Sequence, residues 1–225
     1  MAELQSIADR LFWLDSKLLT QNAVPGKPFF GEKKENVNGV EYRVWNPYHS
    51  KLAAALHNGL KEFPIRDGSK VLYLGVAEGK TASYISDIVG AKGLIVGVDL
   101  SAFAISKFTA LCDVRRNMVP LLADANLPDS MAQDLNGIPF DVLFQDVSQK
   151  NQAEIFLKNA DRFLKPRGFG LLSIKSQSIN SLQDPQLTFA HEKALLETQF
   201  SVLQTVSLEP FEKGHALFYC QKTQG

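Results

Sequence analysis

Cysteine is scarce here: two in 225 residues, Cys112 and Cys220. Each lies in an apolar segment without metal-type partner spacing. That pattern argues against a disulfide framework and a cysteine-bound zinc, and predicts buried thiols in a reducing compartment. The four histidines, His49, His57, His191 and His215, show no metal spacing either. Long apolar runs are missing: none approaches the roughly 20 residues needed to cross a bilayer. The start, Met1-Ala2-Glu3-Leu4-Gln5, lacks the basic-then-apolar pattern of a signal peptide. The expectation is a cytoplasmic protein with no membrane partner. Net charge is absent too, with 24 Lys and Arg against 24 Asp and Glu. A protein that grips nucleic acid alone usually carries a basic excess, because phosphate neutralisation supplies most non-specific affinity. Such a ligand would need a local basic face or a helper. Lys33-Lys34, Arg115-Arg116 and Lys165 with Arg167 are local clusters, each read as a solvated helix end or turn.

What is present is a change of pattern along the chain. Residues 1–45 have short apolar stretches, with turn signals at Val24-Pro25-Gly26-Lys27-Pro28 and Asn38-Gly39. The segment Glu41 to Trp45 alternates like a half-buried strand. This reads as a small, mostly β N-terminal subdomain, with a short helix over Leu4 to Leu19 as an alternative. Asn46-Pro47 breaks the chain, and Ser50 caps a helix expected over Lys51 to Phe63. From Lys70, short aliphatic runs (Val71–Leu74, Leu94–Val98, Met118–Leu122, Val142–Phe144, Phe169–Ile174) alternate with the helical stretches Thr81–Val89, Ala102–Cys112 and Gln152–Leu164. That predicts a parallel sheet covered by helices on both faces. The last two strands, Ser201–Ser207 and His215–Cys220, are joined too closely for a parallel crossover and must pair antiparallel. An α/β chain ending this way, over residues 46–225, fits the class I S-adenosylmethionine-dependent methyltransferases, a Rossmann-like fold.

The chemistry gathers at strand ends. Gly75-Val76-Ala77-Glu78-Gly79 follows one strand and opens a helix, so a ligand there meets bare backbone. The dinucleotide and Walker patterns are absent despite Lys80, and Glu78 would repel a pyrophosphate. A cofactor carrying a sulfonium and an amino acid tail fits better. Asp99 ends the next strand, where a carboxylate can accept from both ribose hydroxyls of an adenosine. Asp124 could accept from the adenine amino group, and the Ala125 amide could meet a ring nitrogen. The plainer reading is that these aspartates cap the helices that follow. Asp146 and Lys175 end two further strands. A lysine after so apolar a run is partly desolvated, and with a carboxylate nearby it can accept the proton of a ribose 2′-hydroxyl. The plainer reading there is an ion pair. His215 opens the last strand and can complete the group, or act only as a structural hydrogen-bonder.

The wording of the chain resembles archaeal fibrillarin. The likeness is carried by Val40-Glu41-Tyr42-Arg43-Val44-Trp45-Asn46-Pro47 and Ser50-Lys51-Leu52-Ala53-Ala54-Ala55. It continues through Lys70 to Gly75, Ser86-Asp87-Ile88-Val89-Gly90, Asp146-Val147-Ser148-Gln149, Ile174-Lys175-Ser176 and Glu209 to Ala216. It runs from about Val24 to Phe218, in order. The resemblance implies a ribose 2′-O-methyltransferase acting on ribosomal RNA, and in some archaea on transfer RNA, with S-adenosylmethionine as cofactor. It gives Lys51, Asp146, Lys175 and His215 the catalytic places. It puts Gly75, Gly79, Lys80, Thr81, Asp99, Leu100, Asp124, Ala125, Asp146, Val147, Ser148 and Gln149 on the cofactor. It also implies a box C/D ribonucleoprotein: a Nop-domain scaffold, a kink-turn-binding ribosomal-type protein, a guide RNA and its target. Sequence choice would then belong to base pairing, which explains zero net charge.

The chain departs from the family pattern at Glu78 and Lys80, where small residues are usual and which could pair with each other. Asp99 replaces a glutamate, His49 an arginine and Lys150 a proline. Two rivals follow from the same residues: a stand-alone methyltransferase of small molecules, and a catalytically idle scaffold subunit. The first gives no reason for the Tyr42–Ala55 wording, and intact Lys51, Asp146 and Lys175 argue against the second.

Overall fold

The computed structural model describes residues 3–135 and 137–223. Met1 and Ala2 of the amino-terminal stretch, Asn136, and the last two residues lie outside them. Five short strands come first: β1 (Gln5–Ala8), β2 (Leu11–Leu14), β3 (Lys17–Gln21), β4 (Lys34–Val37) and β5 (Val40–Val44). They form one antiparallel sheet in the order β1-β2-β3-β5-β4. The helix considered over Leu4 to Leu19 does not form. Two tight turns interrupt it, with Arg10 and Asp15 at positive φ. β3 instead pairs with β2 at Leu18 and with β5 at Leu19, and both leucines are completely buried. The Asn38-Gly39 turn has φ of 53° and 83°, the left-handed pair that a two-residue hairpin requires.

A single 3₁₀ turn, Pro47–His49, leads into α1 (Lys51–His57), capped by the Ser50 hydroxyl. This helix is shorter than expected: Gly59 at φ 87° turns the chain, and Leu60 and Phe63 reach the core from a non-helical segment. The remaining elements are β6 (Lys70–Leu74), α2 (Lys80–Val89), β7 (Leu94–Asp99), α3 (Ala102–Cys112), β8 (Met118–Leu122), α4 (Pro128–Met131) and β9 (Phe140–Gln145). After them come α5 (Gln152–Phe163), β10 (Leu164–Lys175), α6 (Ser176–Ile179), α7 (Pro185–Leu196), β11 (Phe200–Ser207) and β12 (His215–Lys222). The seven strands from β6 onward lie in the order β11-β12-β10-β9-β6-β7-β8. All neighbours pair parallel except at β12, which is antiparallel to both β10 and β11.

Both faces of this sheet are buried, which explains the unbroken aliphatic runs. Along β6, Val71 and Tyr73 face the core shared with α1, α2 and α3, while Leu72 and Leu74 face the core under α5 and α7. The N-terminal sheet is fastened to α2 through a buried ionic knot. Asp87 takes Arg43 Nη1 at 2.9 Å and Arg115 Nη1 at 2.6 Å. It also accepts from the Thr20 hydroxyl at 2.8 Å and the Ala23 amide at 2.9 Å. Arg115, expected to be solvated, is 2% exposed because its charge is spent here. Cys112 and Cys220 are free and buried, and burial pushes the Cys112 thiol up to about 12. Among the described residues no helix is long and apolar enough to cross a membrane, and no cluster of metal-ligating side chains forms.

Candidate active site

The carboxyl ends of β6, β7, β8 and β9 meet at one cavity of about 240 Å³. Its floor is Gly75, at φ 80°, whose amide donates to the Val98 carbonyl at 2.8 Å. A Cβ on Gly75 would stand 2.5 Å from the Asp146 carbonyl oxygen, so only glycine lets β6 leave the sheet beside β9. Asp99 braces the loop: one carboxylate oxygen accepts the Ala77 amide at 2.9 Å and the other the Ser101 amide at 2.9 Å. Each oxygen keeps a lone pair for a sugar hydroxyl.

Of the residues expected on the cofactor, Gly75, Asp99, Leu100, Ala125, Asp146, Val147, Ser148 and Gln149 line this cavity together. Sequence reasoning missed Ala77, Val98 and Ala123, small or apolar neighbours that carry no chemical signature. Gly79, Lys80, Thr81 and Asp124 are not among the lining residues. Lys80 reaches instead over the Phe30 ring, 5.6 Å from its centroid, because it opens α2 on the side facing the N-terminal sheet. Thr81 is buried and donates to the Ser50 hydroxyl at 3.0 Å. Gly79 packs its bare face on Phe108. Asp124 accepts the Asn126 amide at 2.9 Å in the turn after β8, and does not cap α4, whose N-cap is Leu127. Glu78 pairs with Lys107 at 2.5 Å and not with Lys80. Asn126, unremarked in the sequence, bonds Gln149 and ties the third strand end to the fourth.

At the cavity's edge Lys51, from the start of α1, places Nζ 2.9 Å from both carboxylate oxygens of Asp146. Both side chains are about one-fifth exposed, which shields the pair from solvent. Lys175 ends β10 directly across the ladder from His215 on β12. Gln152 clamps the Lys175 backbone, accepting its amide at 2.9 Å and donating to its carbonyl at 3.2 Å. The carboxylate expected to partner Lys175 is engaged by Lys51. Among the described residues no carboxylate lies within 4.0 Å of Lys175 Nζ. His215 is 7% exposed, and its Nδ1 bonds the Lys213 carbonyl at 2.8 Å. Burial pushes its pKa below the usual histidine value. Lys51 adds to that, while the Lys213 bond and the nearby Glu212 and Asp146 oppose it.

The arrangement therefore offers a bare glycine floor, the Asp99 carboxylate at the cavity wall, one lysine paired with Asp146 and a second lysine held by its backbone. These fit a nucleoside-bearing, sulfonium-type methyl donor and a hydroxyl acceptor beside it. Comparison with known proteins agrees. A sequence profile of the family described as fibrillarin matches residues 8–224. The fibrillarin-like rRNA/tRNA 2′-O-methyltransferase of Thermococcus onnurineus is 47% identical over 206 residues, covering 92% of this chain and 90% of that protein. The crystal structure of Aeropyrum pernix fibrillarin in complex with natively bound S-adenosyl-L-methionine superposes with a TM-score of 0.85 at 36% identity. The match covers 98% of this chain and 100% of that one. The fibrillarin chain of a fibrillarin/Nop5p complex superposes with a TM-score of 0.88 at 33% identity, covering 97% and 100%.

Proposed function

Because this chain belongs to the fibrillarin family, we propose that it is the methyl-transferring subunit of an RNA-guided particle acting on rRNA and tRNA ribose. It is an S-adenosylmethionine-dependent 2′-O-methyltransferase. The observation that carries the reading is the Lys51–Asp146 pair standing beside the glycine-floored cavity. The cofactor supplies an electrophilic methyl group. Asp99 holds sugar hydroxyls, and the Gly75 backbone lets the ligand approach closely.

Lys51, held in place by Asp146 at 2.9 Å, steadies the substrate ribose or its phosphate. Lys175 accepts the 2′-hydroxyl proton at Nζ as the oxygen attacks in line. Its freedom from any carboxylate within 4.0 Å among the described residues supports this division, since no other acidic side chain competes for Nζ. His215, opposite Lys175 on the neighbouring strand, holds the array in register. Residues 46–225 serve as the methyltransferase domain and residues 1–45 as its N-terminal subdomain.

A Nop-domain scaffold is the protein partner. A kink-turn-binding protein and a box C/D guide RNA complete the particle, which works in the cytoplasm. Zero net charge supports this sharing of labour, because the chain brings no basic excess to hold RNA alone. The test is an omission series with labelled S-adenosylmethionine, guide, target and both partner proteins. Label should enter target ribose only in the complete mixture. Equal methylation without guide RNA would defeat the guided reading.

A further inference from the structure

Strand β10 has two neighbours, and they do not accompany it equally far. Its ladder with β12 runs to the pair Lys175–His215, while its ladder with β9 stops at Leu172 opposite Gln145. Past Gln145 the chain leaves β10, and the Asp146 amide donates to the Leu74 carbonyl of β6 at 2.9 Å. Ser173, Ile174 and Lys175 therefore lie beyond the end of β9, with Lys175 outermost. A side chain fills the gap. Gln152, the first residue of α5, accepts the Lys175 amide at Oε1, 2.9 Å away, and donates from Nε2 to the Lys175 carbonyl at 3.2 Å. One primary amide thus meets an N–H and a C=O together, as a neighbouring strand would.

The same Nε2 donates to the Gln149 carbonyl at 2.8 Å. Gln149 lines the cofactor cavity, and Gln152 itself does not. Gln152 is held in turn: Gln145 Nε2 donates to its backbone carbonyl at 2.7 Å, and both glutamines are 0% exposed. A glutamine amide has two N–H groups, and both are engaged here; an ionised glutamate has none to give. On the β12 side the strand end is fastened separately, by the Ser176 amide and hydroxyl on the Gly214 carbonyl at 3.1 and 2.9 Å. The Gln152 bonds touch no ligand, yet they join the strand end carrying Lys175 to the cavity wall at Gln149. In-line attack depends on that spacing, and a misplacement of about 1 Å can cost roughly a hundredfold in rate. We infer that Gln152 is a positioning residue for methyl transfer, fixing the Lys175 end of β10 to the Gln149 wall of the cofactor cavity. The inference rests on the reading of Lys175 as acceptor of the 2′-hydroxyl proton.

The experiment uses the complete particle and single-turnover methylation, with Gln152→Met, Lys175→Ala and the two combined. Gln152→Met keeps the length of the side chain and removes its three side-chain bonds. It should slow transfer by about a hundredfold, with the Kd values for S-adenosylmethionine and target RNA unchanged. Gln152→Glu keeps an acceptor for the Lys175 amide and should slow transfer by only about tenfold. It also carries the test if Gln152→Met fails to fold. In the Lys175→Ala background neither substitution should slow transfer further, because the effect passes through Lys175. A merely structural role would multiply with the Lys175→Ala loss and would not spare binding. An undiminished rate in either single variant, a loss seen in Kd and not in rate, or losses that multiply would overturn the inference alone. Lys175→Ala at full rate would overturn the reading of Lys175 as the base, and the inference with it.

Discussion

Lys51 Nζ sits 2.9 Å from each carboxylate oxygen of Asp146, although 95 residues separate the two in the chain. Replacing either should leave the other's charge uncompensated in a partly dry setting. Asp146→Asn and Lys51→Ala should each lower single-turnover methylation by about a hundredfold or more. Because the pair acts as a unit, the double variant should be about as slow as the worse single one. Losses that simply multiply would show that the two residues work independently.

Lys175→Ala should reduce methyl transfer by roughly 10²- to 10⁴-fold, the usual worth of a positioned base. Titration calorimetry should find S-adenosylmethionine binding unaltered, since Lys175 does not line the cofactor cavity. Undiminished turnover would remove Lys175 from the mechanism.

Gly75→Ala places a Cβ 2.5 Å from the Asp146 carbonyl oxygen, at a φ of 80°. The strand end must shift or strain by roughly 1–3 kcal/mol. Cofactor affinity and urea stability should fall together. A variant that binds cofactor normally would mean the cavity tolerates a raised floor.

Asp87→Ala strips the paired carboxylate from Arg115 and leaves Arg43 with Glu32 alone, both arginine side chains being 0% exposed. Breaking a buried pair in this way costs about 3–5 kcal/mol. Urea unfolding should report a loss of that order. A loss under about 1 kcal/mol would mean that the knot is solvated in solution.

His57 and His215 both have pKa values pushed down by burial from an ordinary value of 6.5. Above that value both are neutral whether folded or unfolded, and they leave stability unchanged. As pH falls through 6.5 toward the lower folded values, the unfolded chain takes up protons that the native chain refuses, so stability drops. The melting temperature should therefore decline between about pH 7 and 5, more steeply than in the double variant His57→Phe, His215→Asn. Equal slopes would mean the histidines titrate normally.

Legibility followed the physics of each element. The strands from Val71 to Ile174 were readable because a sheet buried on both faces demands continuous aliphatic runs. The antiparallel close followed from the short link before His215. Asp99 and Asp146 could be placed because strand ends are where such sheets bind ligands. Helix α1 was read too long, since Leu60 and Phe63 keep the helical rhythm after Gly59 has already turned the chain. The ionic knot was invisible: Thr20, Arg43, Asp87 and Arg115 come from distant segments, and Arg115 looks like any surface arginine. The direction of Lys80 was not legible, because its position at the helix start says nothing about which side its stem takes.

The strand made last, β12, lies between two made before it. Until His215 to Lys222 are present, β10 exposes a naked edge and β11 has nothing to join. Closure of the sheet thus waits on the segment His215 to Lys222. A product stopped before His215 should be recovered as aggregate, never as a feeble catalyst.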